Sequence, residues 1–225
     1  MTVILGFDVY GTLIDTAGIA SALQKYAGKR AGEFAGIWRD KQLEYSFRRG
    51  LMQNYRPFTV CTREALEYSC RVVGIDIPAQ GKKDLMAAYT ELPPFADAVE
   101  ALPRLREAGY GLFAFSNGPA ADLSVLLENA DLLGFFQDVV STDEIKSFKP
   151  NPAVYAHFLR RSSATAKAAW LVSGNPFDVI GALSAGLNGA WVKRSAAAFF
   201  DPWEFTPTVE VTALTELGPA VAAAG

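Results

Sequence analysis

In the stretch VILGFDVYGTLID one acid, Asp8, ends a run of apolar residues, and Tyr10, Gly11 and Thr12 follow it. An aspartate, with an ordinary pKa of about 3.9, is ionised at neutral pH without help from a base. It can attack carbon or phosphorus and form an ester or an acyl phosphate. Other polar residues sit where later apolar runs end: Ser116, Asn117 and Gly118 in FSNG, Lys149 in KSFKPNP, and Ser173, Asn175 and Asp178 in LVSGNPFD. Taken singly, a Ser or Asn at such a place reads as a helix cap, and a lysine as a solvated charge. Gathered on one sheet edge, they make a reaction centre. Lys149 offsets crowded negative charge, and Asp178 orients or deprotonates the water that hydrolyses an intermediate. Backbone N–H groups of the YGTL turn are expected to hold a bound anion or the second carboxylate oxygen.

The remaining reactive residues narrow the chemistry. His157 is the one histidine of the chain, so a Ser–His or Cys–His hydrolase would have to use it. It falls within NPAVYAHFLRR, a helical pattern in which a surface or packing role is expected. A His-rich metal site is excluded. Cys61 and Cys70 lie in a helical-looking stretch and read as reduced, buried thiols.

The elements that must position the site alternate in kind. The runs TVILGFD, GYGLFAFSNG, FQDVVST, AAWLVSGN and NGAWVKR read as strands, and amphipathic stretches separate them. That alternation predicts an α/β fold with a parallel sheet covered on both faces. Ligands of such sheets bind outside the carboxyl ends of the strands, where the polar residues fall. Gly109 and Gly186 stand where helix C-caps belong. After the first strand the pattern changes, and helices are expected over roughly 17–29, 31–49, 62–74 and 79–90 before the second strand. This is too much for one crossover and suits an inserted helical cap (15–90) on a core built from 1–14 and 91–225. Arg39, Gln42, Leu43 and Ser46 have the i, i+3, i+4, i+7 spacing of one helix face, while Phe34, Ile37, Trp38 and Tyr45 form a packing face. The Ala-rich SAAAFF and AVAAAG read as helix or tail.

Net charge is −3, so nucleic acid binding has no electrostatic footprint. No apolar run approaches the length of a membrane span, and no signal-peptide pattern follows Met1. A cytoplasmic protein is the expectation.

FDVYGTL, SNG, KSFKPNPAVY and VSGNPFD, in that order and around an inserted helical stretch, resemble the haloacid dehalogenase superfamily, most closely its (S)-2-haloacid dehalogenases. The cap stretch WRDKQLEYSFRRGLMQNYRPF is similar to the cap of that subgroup. The resemblance implies a Rossmann-like core with a helical cap, a homodimer, no cofactor and no metal. Phosphatases of the superfamily carry a second Asp two positions after the first, and Tyr10 stands there instead. They also bind Mg²⁺ through an acidic pair, and SGNPFD offers Asp178 without a partner beside it. The implied reaction is attack of Asp8 on C2 of an (S)-2-haloacid, loss of halide, and hydrolysis of the ester to an (R)-2-hydroxy acid. By the same resemblance Arg39, Asn117 and Phe177 cradle the halide. Thr12 and Ser116 hold the substrate carboxylate or steady Asp8. Lys149, Ser173, Asn175 and Asp178 organise Asp8 and the water. Tyr10, Gln42, Leu43 and Phe58 line the pocket, and Tyr155 packs behind Lys149. Gly174 departs from an expected serine, which is expected to loosen its turn, and Phe177 replaces the Trp of some relatives. A phosphatase and a non-catalytic carboxylate binder are the rival readings.

Overall fold

The computed structural model describes residues 2–225; Met1, at the head of the expected core segment, lies outside them. Six strands form one parallel sheet: β1 (Ile4–Phe7), β2 (Gly111–Ser116), β3 (Asp138–Ser141), β4 (Ala169–Ser173), β5 (Asn188–Val192) and β6 (Val209–Val211), in the order β3-β2-β1-β4-β5-β6. The first five are the expected runs. The sixth was not expected: it is three residues long, Val-Glu-Val, too short to show a period. Every residue of β1, β2 and β4 is buried, as both-face cover requires.

Helices cover the sheet. Between β1 and β2 come α1 (Ile19–Ala27), α2 (Ala31–Leu51), α3 (Phe58–Val73), α4 (Ala79–Ala88) and α5 (Ala96–Glu107). After them α6 (Ala120–Asn129), α7 (Pro152–Ser162), α8 (Pro176–Ser184) and α9 (Leu217–Ala224) complete the chain. The sheet's two faces bury different sets. On β2, Leu112 and Ala114 join the larger core, while Phe113 and Phe115 meet Val154, Tyr155 and Phe158 of α7. Gly109 and Gly186 end their helices in the left-handed region, with φ of +87° and +84°, as expected of C-terminal glycines.

The helical segment α1–α4 leaves and rejoins the sheet through two adjacent strands of chain. Asp15 N–H donates to Pro93 O, and Phe95 N–H to Leu13 O, both at 2.9 Å. Inside the segment Trp38 is fully buried, and its indole N–H donates to Thr62 O at 2.8 Å. α3 begins at Phe58, four residues before the expected 62, directly after Pro57, whose ring fixes φ for the approach. SAAAFF is turn and irregular chain rather than helix, whereas all of AVAAAG but its last glycine belongs to α9. Cys61 and Cys70 are buried and unbridged. His157 is buried on α7, with Nε2 at 2.9 Å from Glu144. No helix among the described residues is long and apolar enough to cross a membrane.

Candidate active site

Strand order reverses beside β1: β2 and β3 lie to one side and β4 to β6 to the other. In open α/β sheets that switch point opens a crevice at the carboxyl ends of the strands. Asp8 follows β1 there, and Ser173 ends the neighbouring β4.

Lys149 is the centre's hub. It is 2% exposed, and its ammonium meets three acceptors: Asp178 Oδ2 at 2.7 Å, Phe115 O at 2.8 Å and Asp8 Oδ1 at 3.1 Å. Burial works against this charge, but the Asp178 and Asp8 carboxylates overcome it and hold the ammonium above its ordinary pKa. Asp178 is fully buried on the first turn of α8. Burial lifts its carboxyl to about 6, against the pull of Lys149 and with a further push from Asp8. Tyr155 donates its hydroxyl to Asp178 Oδ1 at 2.8 Å, and burial and that neighbour keep the phenol protonated.

The two oxygens of Asp8 differ. Oδ2 accepts from Asn175 Nδ2 at 2.7 Å, Thr12 Oγ1 at 3.1 Å and Ser173 Oγ at 3.4 Å. Oδ1 accepts from Lys149 alone and keeps a lone pair for chemistry. Asn175 precedes α8 but makes no side-chain cap; its amide is spent on Asp8 and on Tyr10 O at 3.1 Å. Asn117 Oδ1 accepts from the Lys149 N–H at 2.9 Å and Thr142 Oγ1 at 3.2 Å, which fixes its amide with the two Nδ2–H donors turned the other way. Ser116 is buried and accepts from Gly118 N–H at 3.4 Å.

α2 brings Arg39 to this edge. Its guanidinium makes only long contacts, to Gln42 Oε1 at 3.4 Å and Tyr10 O at 3.5 Å, so most of its donors are uncommitted. Gln42 is fully buried and donates to Tyr89 Oη. Tyr89 meets Tyr10 edge-on at 6.2 Å between ring centroids. Burial, reinforced by Tyr89, pushes the Tyr10 phenol well above its ordinary range, so it stays neutral. Leu43 is half-buried on the same helix, one residue from Gln42. Phe58 is buried with Cys61 and Phe148. Phe177 has a different neighbour from the two donors it was grouped with: its ring lies edge-on to Phe47 at 5.1 Å.

One expectation is narrowed and another corrected. Of the YGTL amides, those of Gly11, Thr12 and Leu13 donate to Ile14 O and Val9 O and close the turn on itself, while no such bond engages the Tyr10 N–H. Gly174 does not loosen its turn. A Cβ there would lie 2.3 Å from Gly11 O, so the missing side chain lets the two loops touch. Two contributors were missed. Tyr89 lies 47 residues from the glutamine it binds. Arg194 closes the expected strand NGAWVKR, yet its guanidinium donates to Thr12 O, pairs with Asp97 Oδ2 at 2.6 Å and lies 4.0 Å over the Phe95 ring. It thus ties both strands that lead to the helical segment to the loop carrying Asp8. Basic residues at a strand end are the only sequence signal it gave.

Known proteins share this plan. A model of haloacid dehalogenase-like hydrolases matches residues 4–186. The (S)-2-haloacid dehalogenase of Pseudomonas sp. (strain YL) is 32% identical over 210 residues, 93% of this chain and 90% of that protein. The solved L-2-haloacid dehalogenase of Xanthobacter autotrophicus superposes with a TM-score of 0.90 at 32% identity, covering 99% of both chains. The same score and identity hold for its form with chloropropionic acid covalently bound. By sequence, by fold and by the ordered residues around Asp8, this chain belongs to the haloacid dehalogenase-like hydrolases.

Proposed function

We propose that the protein hydrolyses (S)-2-haloalkanoic acids to (R)-2-hydroxy acids, with inversion, through an ester on Asp8 and without a metal ion. The observation that carries this is the pairing of Asp8 Oδ1 with the Lys149 ammonium while Tyr10, a neutral phenol, occupies the second position after it. A phosphoryl-transfer centre needs concentrated positive charge and a second acid there; a carbon electrophile bearing one carboxylate does not.

Asp8 Oδ1 attacks C2 from the face opposite the halogen. The C–O bond forms as the carbon–halogen bond breaks, and the halide leaves with the bonding pair. Arg39 and the Asn117 amide supply donors where that charge develops, an arrangement worth a few kcal/mol in a site that excludes water. Water then attacks Cγ of Asp8 as Asp178 takes its proton. The oxyanion forms on Oδ2, where Thr12, Ser173 and Asn175 already donate. When the Cγ–Oδ1 bond breaks, Oδ1 leaves with the product and draws a proton from the Asp178–Lys149 pair. The remaining water proton passes from the new oxygen to solvent, and Asp8 regains a carboxylate with one oxygen from water. Tyr155 orients Asp178, and Tyr10, Gln42, Leu43, Phe58 and Phe177 bound the substrate. Ser116 supports the loop that carries Asn117.

Under this reading the helices of 15–90 are a cap domain on a core of 1–14 and 91–225, and the enzyme is a cytoplasmic homodimer, which light scattering after gel filtration checks. Incubation with (S)-2-chloropropionate in EDTA tests the reaction. Halide release that survives EDTA and is abolished in Asp8→Asn is expected. Metal-dependent release of phosphate from esters would replace this reading with a phosphatase, and silence in both assays with a carboxylate binder.

A further inference from the structure

Asn117 follows β2 at the carboxyl edge of the sheet. The next residue, Gly118, borders Tyr10: a Cβ on it would lie 3.6 Å from that ring. The Asn117 amide nitrogen makes no hydrogen bond among the described residues, where Arg194 Nε is the one fully enclosed side-chain polar atom without a partner. Asn117 Nδ2 is therefore open to the crevice and free to donate. Lys149 decides which end of the amide faces that way. Its backbone N–H, which can only donate, meets Oδ1 at 2.9 Å. A single hydrogen bond leaves the amide plane free to turn about it. Thr142 removes that freedom, because its hydroxyl donates to the same oxygen at 3.2 Å. Two donors on one carbonyl oxygen also polarise the amide and strengthen its N–H groups as donors.

The fold makes no other use of that hydroxyl. Thr142 is fully buried at the head of the 3-10 turn Thr142–Ile145. The turn is capped by Ser141, whose Oγ accepts from Asp143 N–H at 3.1 Å, and its end is closed by Lys146 N–H on the backbone carbonyls of Thr142 and Asp143. Its remaining side chains are tied down elsewhere. Asp143 accepts from Tyr55 Oη, which comes from the chain between α2 and α3, and pairs with Lys146 at 2.9 Å. Glu144 pairs with Arg161 and lies 2.9 Å from His157 Nε2. The Thr142 hydroxyl is thus a fixed point against which the amide is turned. We infer that Thr142 is a positioning residue for departure of the halide: it holds the Asn117 amide with both N–H groups aimed at the leaving atom. The inference rests on the proposed function. It carries a specificity, since chloride concentrates its charge more than bromide and leaves less readily, and so depends more on an aimed donor.

The test is a double-mutant cycle. Halide release in the first turnover is followed by rapid quench with 2-chloropropionate and 2-bromopropionate. Thr142→Val keeps the shape and loses one hydrogen bond, so release of chloride is expected to slow about five- to tenfold and release of bromide by less. Thr142→Ser keeps the hydroxyl and is expected to restore the parent's ratio of the two rates. In an Asn117→Ala background Thr142→Val is expected to slow release no further. A loss equal for both halides, or one that persists in Asn117→Ala, would make Thr142 merely structural and overturn the inference. NMR of the Asn117 side-chain amide, assigned by its loss in Asn117→Ala, reads the aim without turnover. Bromide is expected to shift that signal in the parent and in Thr142→Ser but not in Thr142→Val. Should the parent release no halide, the proposed reaction falls and this spectrum alone decides: the expected pattern keeps the assignment, and an equal shift in all three proteins, or none, overturns it.

Discussion

Replacing Lys149 by methionine tests the core of the proposed centre. The substitution keeps the length and apolar stem of the side chain and removes only the ammonium. It strands Asp178, fully buried, and Asp8, 7% exposed, without their shared cation. Breaking a buried pair from one side costs about 3–5 kcal/mol. For a chain of this length each kcal/mol moves the melting temperature by about 2–4 °C, so a fall of about 6–20 °C is expected. The loss must depend on pH. Asp178 already sits near 6, because burial and Asp8 outweigh the pull of Lys149, and removing that pull raises it further. A carboxyl with a raised folded pKa contributes stability below its unfolded value of about 3.9, and that contribution is lost as pH rises through the folded pKa. The gap between variant and parent is therefore expected to widen from pH 5 to pH 8. Melting curves at both values, with halide release at pH 8, check this. Activity should fall by at least about a hundredfold, the effect of losing one preorganised donor. A variant that melts with the parent at pH 8, or whose gap narrows as pH rises, would refute the assigned electrostatics.

Asp178→Asn should still form the ester, so a stoichiometric burst of halide followed by slow release is expected in rapid-quench experiments. In the parent, kcat should fall with an acid limb near pH 6, where Asp178 takes up its proton, and a steady-state pH profile reads this directly. Arg194→Met removes the guanidinium that holds Thr12 O and Asp97. It is expected to cost about 3 kcal/mol in thermal unfolding, with kcat lowered by about tenfold, or 1.4 kcal/mol, as Thr12 loosens from Asp8. Gly174→Ser puts a Cβ against Gly11 O and should cost about 1–3 kcal/mol, measured in the same melts.

The residues gathered around Lys149 and Asp8 were legible because each stands at or beyond the end of a strand in the sequence, and parallel strands carry their carboxyl ends to one edge. Asp8, Lys149, Ser173, Asn175 and Asp178 are all of that kind. What stayed hidden depends on distant chain. The division of labour between the two Asp8 oxygens is set by four side chains, and only Thr12 is near in sequence. Tyr89 looks like one more amphipathic helix residue until Gln42 is placed against it. Turn amides could be named but not followed: nothing in YGTL says that Val9 O collects two of them. Gly174 shows the same limit, since its use is a contact with Gly11 across 163 positions of chain. The short β6 was missed because three residues carry no alternation.

The claim that Asp8 itself carries the substrate is tested most directly by one turnover in heavy-oxygen water, with enzyme in excess over (S)-2-chloropropionate. Mass spectrometry of the peptide bearing Asp8 and of the hydroxy acid then follows the label. Label is expected in the Asp8 carboxylate, with the first equivalent of product unlabelled. Label in that first product, with an unlabelled Asp8 peptide, would mean that water attacks C2 directly, and the ester mechanism would be wrong.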